Sequence, residues 1–136
     1  MQPFYDLLKK HQGKMIYIDF WGPWCPPCLA EMEPLKELRK KYSTDDIVFI
    51  SICRNDDRKQ YKQVLDKYGM HVDGIEHIHA DDLQTESQVH KMYNQLNIDG
   101  IPYFFIINRE GVIVNYGSMM RPSYPGTAEC IEEWLK

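Results

Sequence analysis

What this sequence lacks narrows it before any motif is read. No apolar run approaches the roughly 20 residues that a membrane-spanning helix needs, and the first fourteen residues hold no apolar segment of signal-peptide type. Direct membrane insertion is therefore not expected. Positive charge is not in excess: 16 Lys and Arg against 20 Asp and Glu leave a net charge of −4. Nucleic acid, whose affinity rests on cationic contacts to phosphate, is excluded as a partner. Internal repeats and Gly- or Ser-rich linkers are missing too, so the 136 residues read as a single domain, 1–136, able to bury its own core. Cysteine is sparse. Of the four, Cys53 and Cys130 stand alone, without the spacing that a four-ligand zinc site requires. His77 and His79 fall on one side of a short strand with no third ligand in view, which reads as an edge-strand surface rather than a metal pair. Neither a metal nor a cofactor is called for.

What is present is an alternation of strand and helix signals. An opening helical pattern carries Phe4, Leu7 and Leu8. Residues 15–20 are apolar on both faces except at Asp19, as in a buried central strand. A helix is predicted from Pro26 to about Tyr42, burying Leu29, Met32, Leu35, Leu38 and Tyr42, with a kink at Pro34. Its cationic end, Lys36, Arg39, Lys40 and Lys41, suits the helix dipole as a solvated face. Ile47–Cys53 is a second buried strand, followed by a helix start at Asn55-Asp56 and a helix with Tyr61, Val64, Leu65 and Tyr68 that stops at Gly69. A short strand spans Ile75 to Ala80. A helix from Thr85 or Ser87 turns Val89, Met92, Tyr93 and Leu96 inward. Tyr103–Ile107 and Val112–Tyr116 form a hairpin around Asn108–Gly111. A proline-containing loop, Gly117–Gly126, leads to a final helix from Thr127. The order is helix, then βαβαβαββα, which implies a mostly parallel sheet covered on both faces, with an antiparallel hairpin at one edge.

The chemistry concentrates in Trp24-Cys25-Pro26-Pro27-Cys28, between an apolar strand and a helix. Two cysteines two residues apart can close a small disulfide, and each can displace the other from a mixed disulfide. Pro26 and Pro27 suit a first helical turn, whose N–H groups have no intrahelical partner. Cys25 then sits at a helix N-terminus, where the dipole favours thiolate, and Cys28 lies one turn inside as the shielded resolving thiol. Asp19, on a central strand with no evident cation, is expected to hold its proton unusually tightly and to accept the Cys28 proton as a general base.

The run Asp19-Phe20-Trp21-Gly22-Pro23-Trp24-Cys25-Pro26-Pro27-Cys28 resembles the active-site strand and turn of the thioredoxin superfamily, and Gly100-Ile101-Pro102 resembles its cis-proline loop. Glu31, three residues after Cys28, matches an acidic position of the ResA/TlpA-like extracytoplasmic branch, and Asp19 matches the buried acid of thioredoxin itself. The resemblance covers nearly the whole chain. Two departures are the Pro-Pro pair in place of Gly-Pro, and Pro34 at six rather than five residues past Cys28.

That resemblance implies a thioredoxin fold with one αβ insertion at about residues 57–80, and a thiol:disulfide oxidoreductase acting on protein disulfides, in the reducing direction. It implies that Pro102 is cis and faces the cysteines, that the Ile101 backbone pairs with an extended substrate, and that Glu31 acts near the thiols. Trp24 would be an apolar platform beside Cys25, Trp21 a core residue, and Tyr103 either. The implied partners are disulfide-containing proteins and an upstream thiol donor, membrane-bound in related systems. The implied location is periplasmic or membrane-tethered, with this chain a domain cut from a longer exported protein; the chain read by itself would be cytoplasmic. Arg121-Pro122-Ser123 resembles a loop of related exported domains, for which a rigid turn is role enough. A peroxidase of peroxiredoxin type would need a Thr-containing cysteine loop that is missing. The rival from another class is a peptide-binding module with a static disulfide. Cys53 reads as a small buried hydrophobe or a third thiol, and Cys130 as core.

Overall fold

Two apolar stripes on one strand decide the architecture. The computed structural model describes residues 2–54, 58–79 and 94–136. Strand β1 (Met15–Trp21) is buried along its whole length. Met15, Tyr17 and Trp21 enter one core, and Ile16, Ile18 and Phe20 enter another. Alternate side chains of a strand point to opposite faces, so β1 must be covered on both sides and takes the middle of the sheet.

Strand β2 (Ile47–Cys53) lies parallel to β1, in register from Met15 opposite Ile47 to Trp21 opposite Cys53. Strand β3 (Ile75–His79) runs parallel beyond it. On the other flank β4 (Tyr103–Ile107) is antiparallel to β1, and β5 (Ile113–Gly117) is antiparallel to β4. The order is β3-β2-β1-β4-β5. Of the described strands, four point the same way and β4 is reversed, which is the predicted sheet with its hairpin at the edge. The reversal matters for function. It sets the start of β4 against the end of β1, with Tyr103 opposite Phe20.

Helix α1 (Gln2–Lys10) presses Leu7 onto the core of Ile16, Ile18 and Phe20. The opposite face is covered by α2 (Pro26–Ala30), α3 (Met32–Lys40), α4 (Arg58–Lys67) and α5 (Pro125–Leu135). Met32, Leu35, Leu38, Tyr61, Leu65 and Ile131 fill that core. Each fully buried leucine contributes about 2 kcal/mol relative to an exposed one. The final helix begins two residues earlier than expected, because Pro125 suits a first helical position. A 3₁₀ turn, Ser118–Met120, occupies part of the expected loop. The Asn55-Asp56 helix start, and the helix expected from Thr85 or Ser87 with Val89, Met92 and Tyr93, lie outside the described residues. Leu96 is half-buried against the α1-side core.

The long helix predicted from Pro26 to Tyr42 is two helices. The interruption falls at Glu31 (φ −93°, ψ 0°), ahead of Pro34 rather than at it. Pro34 has no N–H to give to the carbonyl of Ala30, and its ring crowds that carbonyl, so the distortion appears one turn upstream. Helical bonding resumes with Leu35 N–H on Glu31 O at 2.9 Å.

The histidine strand also departs from a plain surface edge. His77 and His79 share a face, opposite Ser51 and Cys53, but α4 covers that face. His79 is fully buried, its ring edge-on to Tyr61 at 5.1 Å. His77 Nε2 bonds Met70 O at 2.6 Å.

The hairpin turns on Asn108, which is buried. Its Oδ1 accepts from Glu110 N at 3.0 Å and from Val112 N at 2.9 Å, and Gly111 takes the positive φ of 82° that closes the turn. Asn108→Ala strands both N–H groups in a partly buried turn and is expected to lower unfolding stability by about 1–3 kcal/mol. Urea denaturation checks this; an unchanged midpoint with an unchanged slope would show that the side chain does not hold the turn.

Candidate active site

At the end of β1 the chain must leave the sheet and start a helix within a few residues, and the turn Gly22-Pro23-Trp24 does so. A Cβ at Gly22 would come within 2.7 Å of the Trp24 ring, so glycine leaves the space in which that indole lies. Trp24 remains 56% exposed, which suits an apolar platform at the rim. Trp21, by contrast, is fully buried and packs on Tyr61.

Cys25 is the residue preceding the first turn of α2, in extended conformation (φ −105°, ψ 98°). Its Sγ accepts a hydrogen bond from Cys28 N–H at 3.3 Å. An N–H aimed at the sulfur stabilises negative charge there, in the same sense as the helix dipole. Cys25 and Cys28 are joined as a disulfide, with their Cα atoms 5.2 Å apart. Both are buried in this oxidised state, at 7% and 3% exposure. Pro26 and Pro27 are exposed beside them.

The second wall comes from a remote segment. The Ile101–Pro102 peptide bond is cis, and Ile101 O lies 3.9 Å from Cys25 Sγ. Antiparallel pairing of β4 with β1 makes this meeting possible across 76 residues of chain. Ile101 and Pro102 are each half-buried, leaving one side of the segment open. Tyr103 turns into the α1-side core and packs on Phe105.

Asp19 is buried in the sheet, on the face of β1 whose core includes Cys25 and Cys28. Burial pushes its carboxyl up from the ordinary value to about 7, with the charge of Glu31 adding to the rise and a hydrogen bond from Ser51 opposing it. Glu31 was expected near the thiols; its own partner is a serine that sequence reading did not connect to it. Ser123 N–H donates to one Glu31 oxygen at 2.8 Å and Ser123 Oγ–H to the other at 2.8 Å. The Arg121-Pro122-Ser123 loop is thus tied to the active-site turn. Tyr17 Oη–H ties it again, donating to Met120 O at 2.6 Å. No local signal marks these links, since each spans about ninety residues or more of chain.

The remaining cysteines stand apart from the exchange pair. Cys53 and Cys130 are free. Cys53 is fully buried, and burial, with Asp19 adding to it, pushes its thiol well above the ordinary range. It behaves as a small buried hydrophobe. Burial also raises the Cys130 thiol, which lies 3.9 Å from Asn115 Nδ2.

The raised Asp19 carboxyl ties stability to pH. The proton is bound more tightly in the folded state than in the unfolded one, so the stability it supplies is complete below about pH 4 and drains away as pH rises through about 7. Asp19→Asn removes this dependence. The stability of the variant relative to the parent is expected to climb between pH 4 and 7, by up to roughly 4 kcal/mol, and then level off. Urea unfolding of both proteins at pH 4, 5.5, 7 and 8.5 checks this; a pH-independent difference would place the Asp19 titration in the ordinary carboxylate range.

Comparison with known proteins agrees with this geometry. The thioredoxin-like family model matches residues 13–113, most of the chain. Among curated proteins, the thiol-disulfide oxidoreductase ResA of Halalkalibacterium halodurans is 26% identical over 134 residues, covering 95% of this chain and 65% of that protein. ResA of Bacillus subtilis is 24% identical over 103 residues, covering 76% and 52%. The chain thus spans less than two thirds of the length of these relatives. Among solved structures, a candidate thiol-disulfide oxidoreductase from Bacteroides vulgatus is 38% identical with a TM-score of 0.72, covering 94% of this chain and 78% of that one. The thioredoxin domain of another B. vulgatus thiol-disulfide oxidoreductase shares the fold, with a TM-score of 0.73 at 17% identity over 91% of this chain and 84% of that one. With the motif, the sheet and the family match in agreement, this chain belongs to the thioredoxin-like family.

Proposed function

We propose that the chain is a thiol:disulfide oxidoreductase that reduces disulfides in protein substrates, with Cys25 as nucleophile, Cys28 as resolving thiol and Asp19 as the proton acceptor. The observation that carries this reading is the Cys25–Cys28 disulfide at the start of α2, with Ile101 O 3.9 Å from Cys25 Sγ; Asp19 lies on the face of β1 whose core includes both cysteines.

Each step follows from a named group. In the reduced protein, the Cys28 N–H and the helix start favour thiolate at Cys25. That thiolate attacks one sulfur of a substrate disulfide; a new S–S bond forms, and the other substrate sulfur leaves as thiolate. The Ile101 backbone, beside Cys25, is placed to pair with an extended substrate segment by strand addition, while Trp24 offers an apolar flank. Cys28 then attacks Cys25 Sγ, and its proton passes to the Asp19 carboxylate. The substrate leaves as a dithiol carrying two electrons, and Cys25–Cys28 is left as the disulfide. With its carboxyl near 7, Asp19 takes and gives up that proton close to neutral pH. An upstream thiol donor restores the dithiol. Work outside the cytoplasm fits this chemistry, since substrate disulfides persist there. None of the described helices is long and apolar enough to cross a membrane.

Insulin reduction with limiting dithiothreitol tests the reading. The parent is expected to turn over, Cys25→Ser to be inactive, and Cys28→Ser to stall as a mixed disulfide visible by mass spectrometry. Asp19→Asn is expected to slow the second attack by roughly 10²-fold. A Cys25–Cys28 disulfide that dithiothreitol does not open, or no turnover by the parent, would replace the enzyme with a static peptide-binding module.

A further inference from the structure

Three segments are tied together on the side of the sheet that Tyr17 and Asp19 face, and two of them have no part in the exchange steps. The first is β1, with Tyr17 and Asp19 on one face. The second is the Glu31 turn that Pro34 creates between α2 and α3. The third is the loop from Ser118 to Tyr124, which is fastened at every few residues. Tyr17 holds Met120 O, Thr127 Oγ–H donates to Arg121 O at 2.8 Å, and Tyr124 N–H donates to the same carbonyl at 3.0 Å. Ser123 then grips both oxygens of Glu31. Two donors on two oxygens fix a carboxylate in orientation as well as position, which one bond does not.

We propose that Ser123 is a positioning residue for the proton-transfer step: its two hydrogen bonds hold the Glu31 carboxylate where its charge acts on Asp19, and so decide how firmly Asp19 keeps the proton it takes from Cys28. A negative charge held close makes a buried carboxylate a stronger base, and the same charge swung into solvent is screened. Among the described residues, Glu31 is the carboxylate whose charge adds to the rise at Asp19. Tyr17 shares its strand and face, and burial together with both carboxylates pushes that phenol up, so it stays neutral through the working range. From β2 come Ser51, hydrogen-bonded to Asp19, and Cys53, a neutral thiol. Phe104 stands opposite on β4, and His77 lies one strand beyond Ser51. Cys25 and Cys28 are joined as the disulfide in this structure.

The catalytic meaning of this inference rests on the exchange reading above, but its test does not. Oxidised protein with ¹³C-labelled aspartate is titrated by NMR, following the Asp19 carboxyl without substrate or free active-site thiol. Glu31→Gln is expected to lower the Asp19 midpoint. Ser123→Ala, which loses one of the two bonds, is expected to lower it in the same direction by roughly half a unit. Ser123→Thr, which keeps both donors, should restore it. In the Glu31→Gln background, Ser123→Ala should move nothing further. An unchanged midpoint in Ser123→Ala overturns the proposal, and so does an equal shift with or without the Glu31 charge, since the loop would then act by packing alone. A normal titration cycle alongside failed insulin turnover would leave Ser123 as the holder of Glu31 and remove only the exchange reading.

Discussion

A carboxyl group enclosed in the central strand is the constraint on which the rest of this structure depends. Asp19 takes a place that sheet geometry reserves for apolar side chains, between Tyr17 and Trp21 on a fully buried strand. Ionising it there costs several kcal/mol unless opposite charge or hydrogen bonds compensate. Here Ser51 helps the charged form while burial and Glu31 oppose it, and the two opposing influences dominate. The fold tolerates this because the proton stays on until the pH approaches about 7.

The same strand organises the site through its two ends of contact. Its exit leads into the turn that carries Cys25, and the Ile101–Pro102 segment leads directly into its antiparallel partner β4. Neither piece makes a site alone. The cysteine pair and the Ile101 carbonyl that faces it come from segments 76 residues apart, and the pairing of β4 with β1 is what brings them together. The sheet supplies rigidity, since each wall is anchored by a ladder of backbone bonds inside a closely packed core.

A local irregularity has a comparable reach. Pro34 cannot bond the Ala30 carbonyl, so the helix behind the cysteines divides at Glu31. At that turn the Glu31 side chain meets Ser123. A proline in α3 thus determines where an acid meets a loop some ninety residues later in the chain, and the acid in turn acts on Asp19.

The strands, the thiol pair, the burial of Asp19 and the hairpin were legible in the sequence because each is a local pattern. Unbroken apolar runs mean strands covered on both faces, and two cysteines before a helical stretch can hardly be other than neighbours. Pro26 and Pro27 announce a helix start by their missing N–H groups. The place of the helix break was less legible, since the proline is read at its own position while its effect falls one turn earlier. His79 was misread as edge surface because nothing in β3 itself says that Tyr61 of α4 will cover it. The grip of Ser123 on Glu31, the hold of Tyr17 on Met120 and the approach of Ile101 to Cys25 were decided only by the tertiary structure. Each joins residues far apart in the chain, and a one-dimensional pattern carries no term for contacts that exist only after the sheet has brought the segments together.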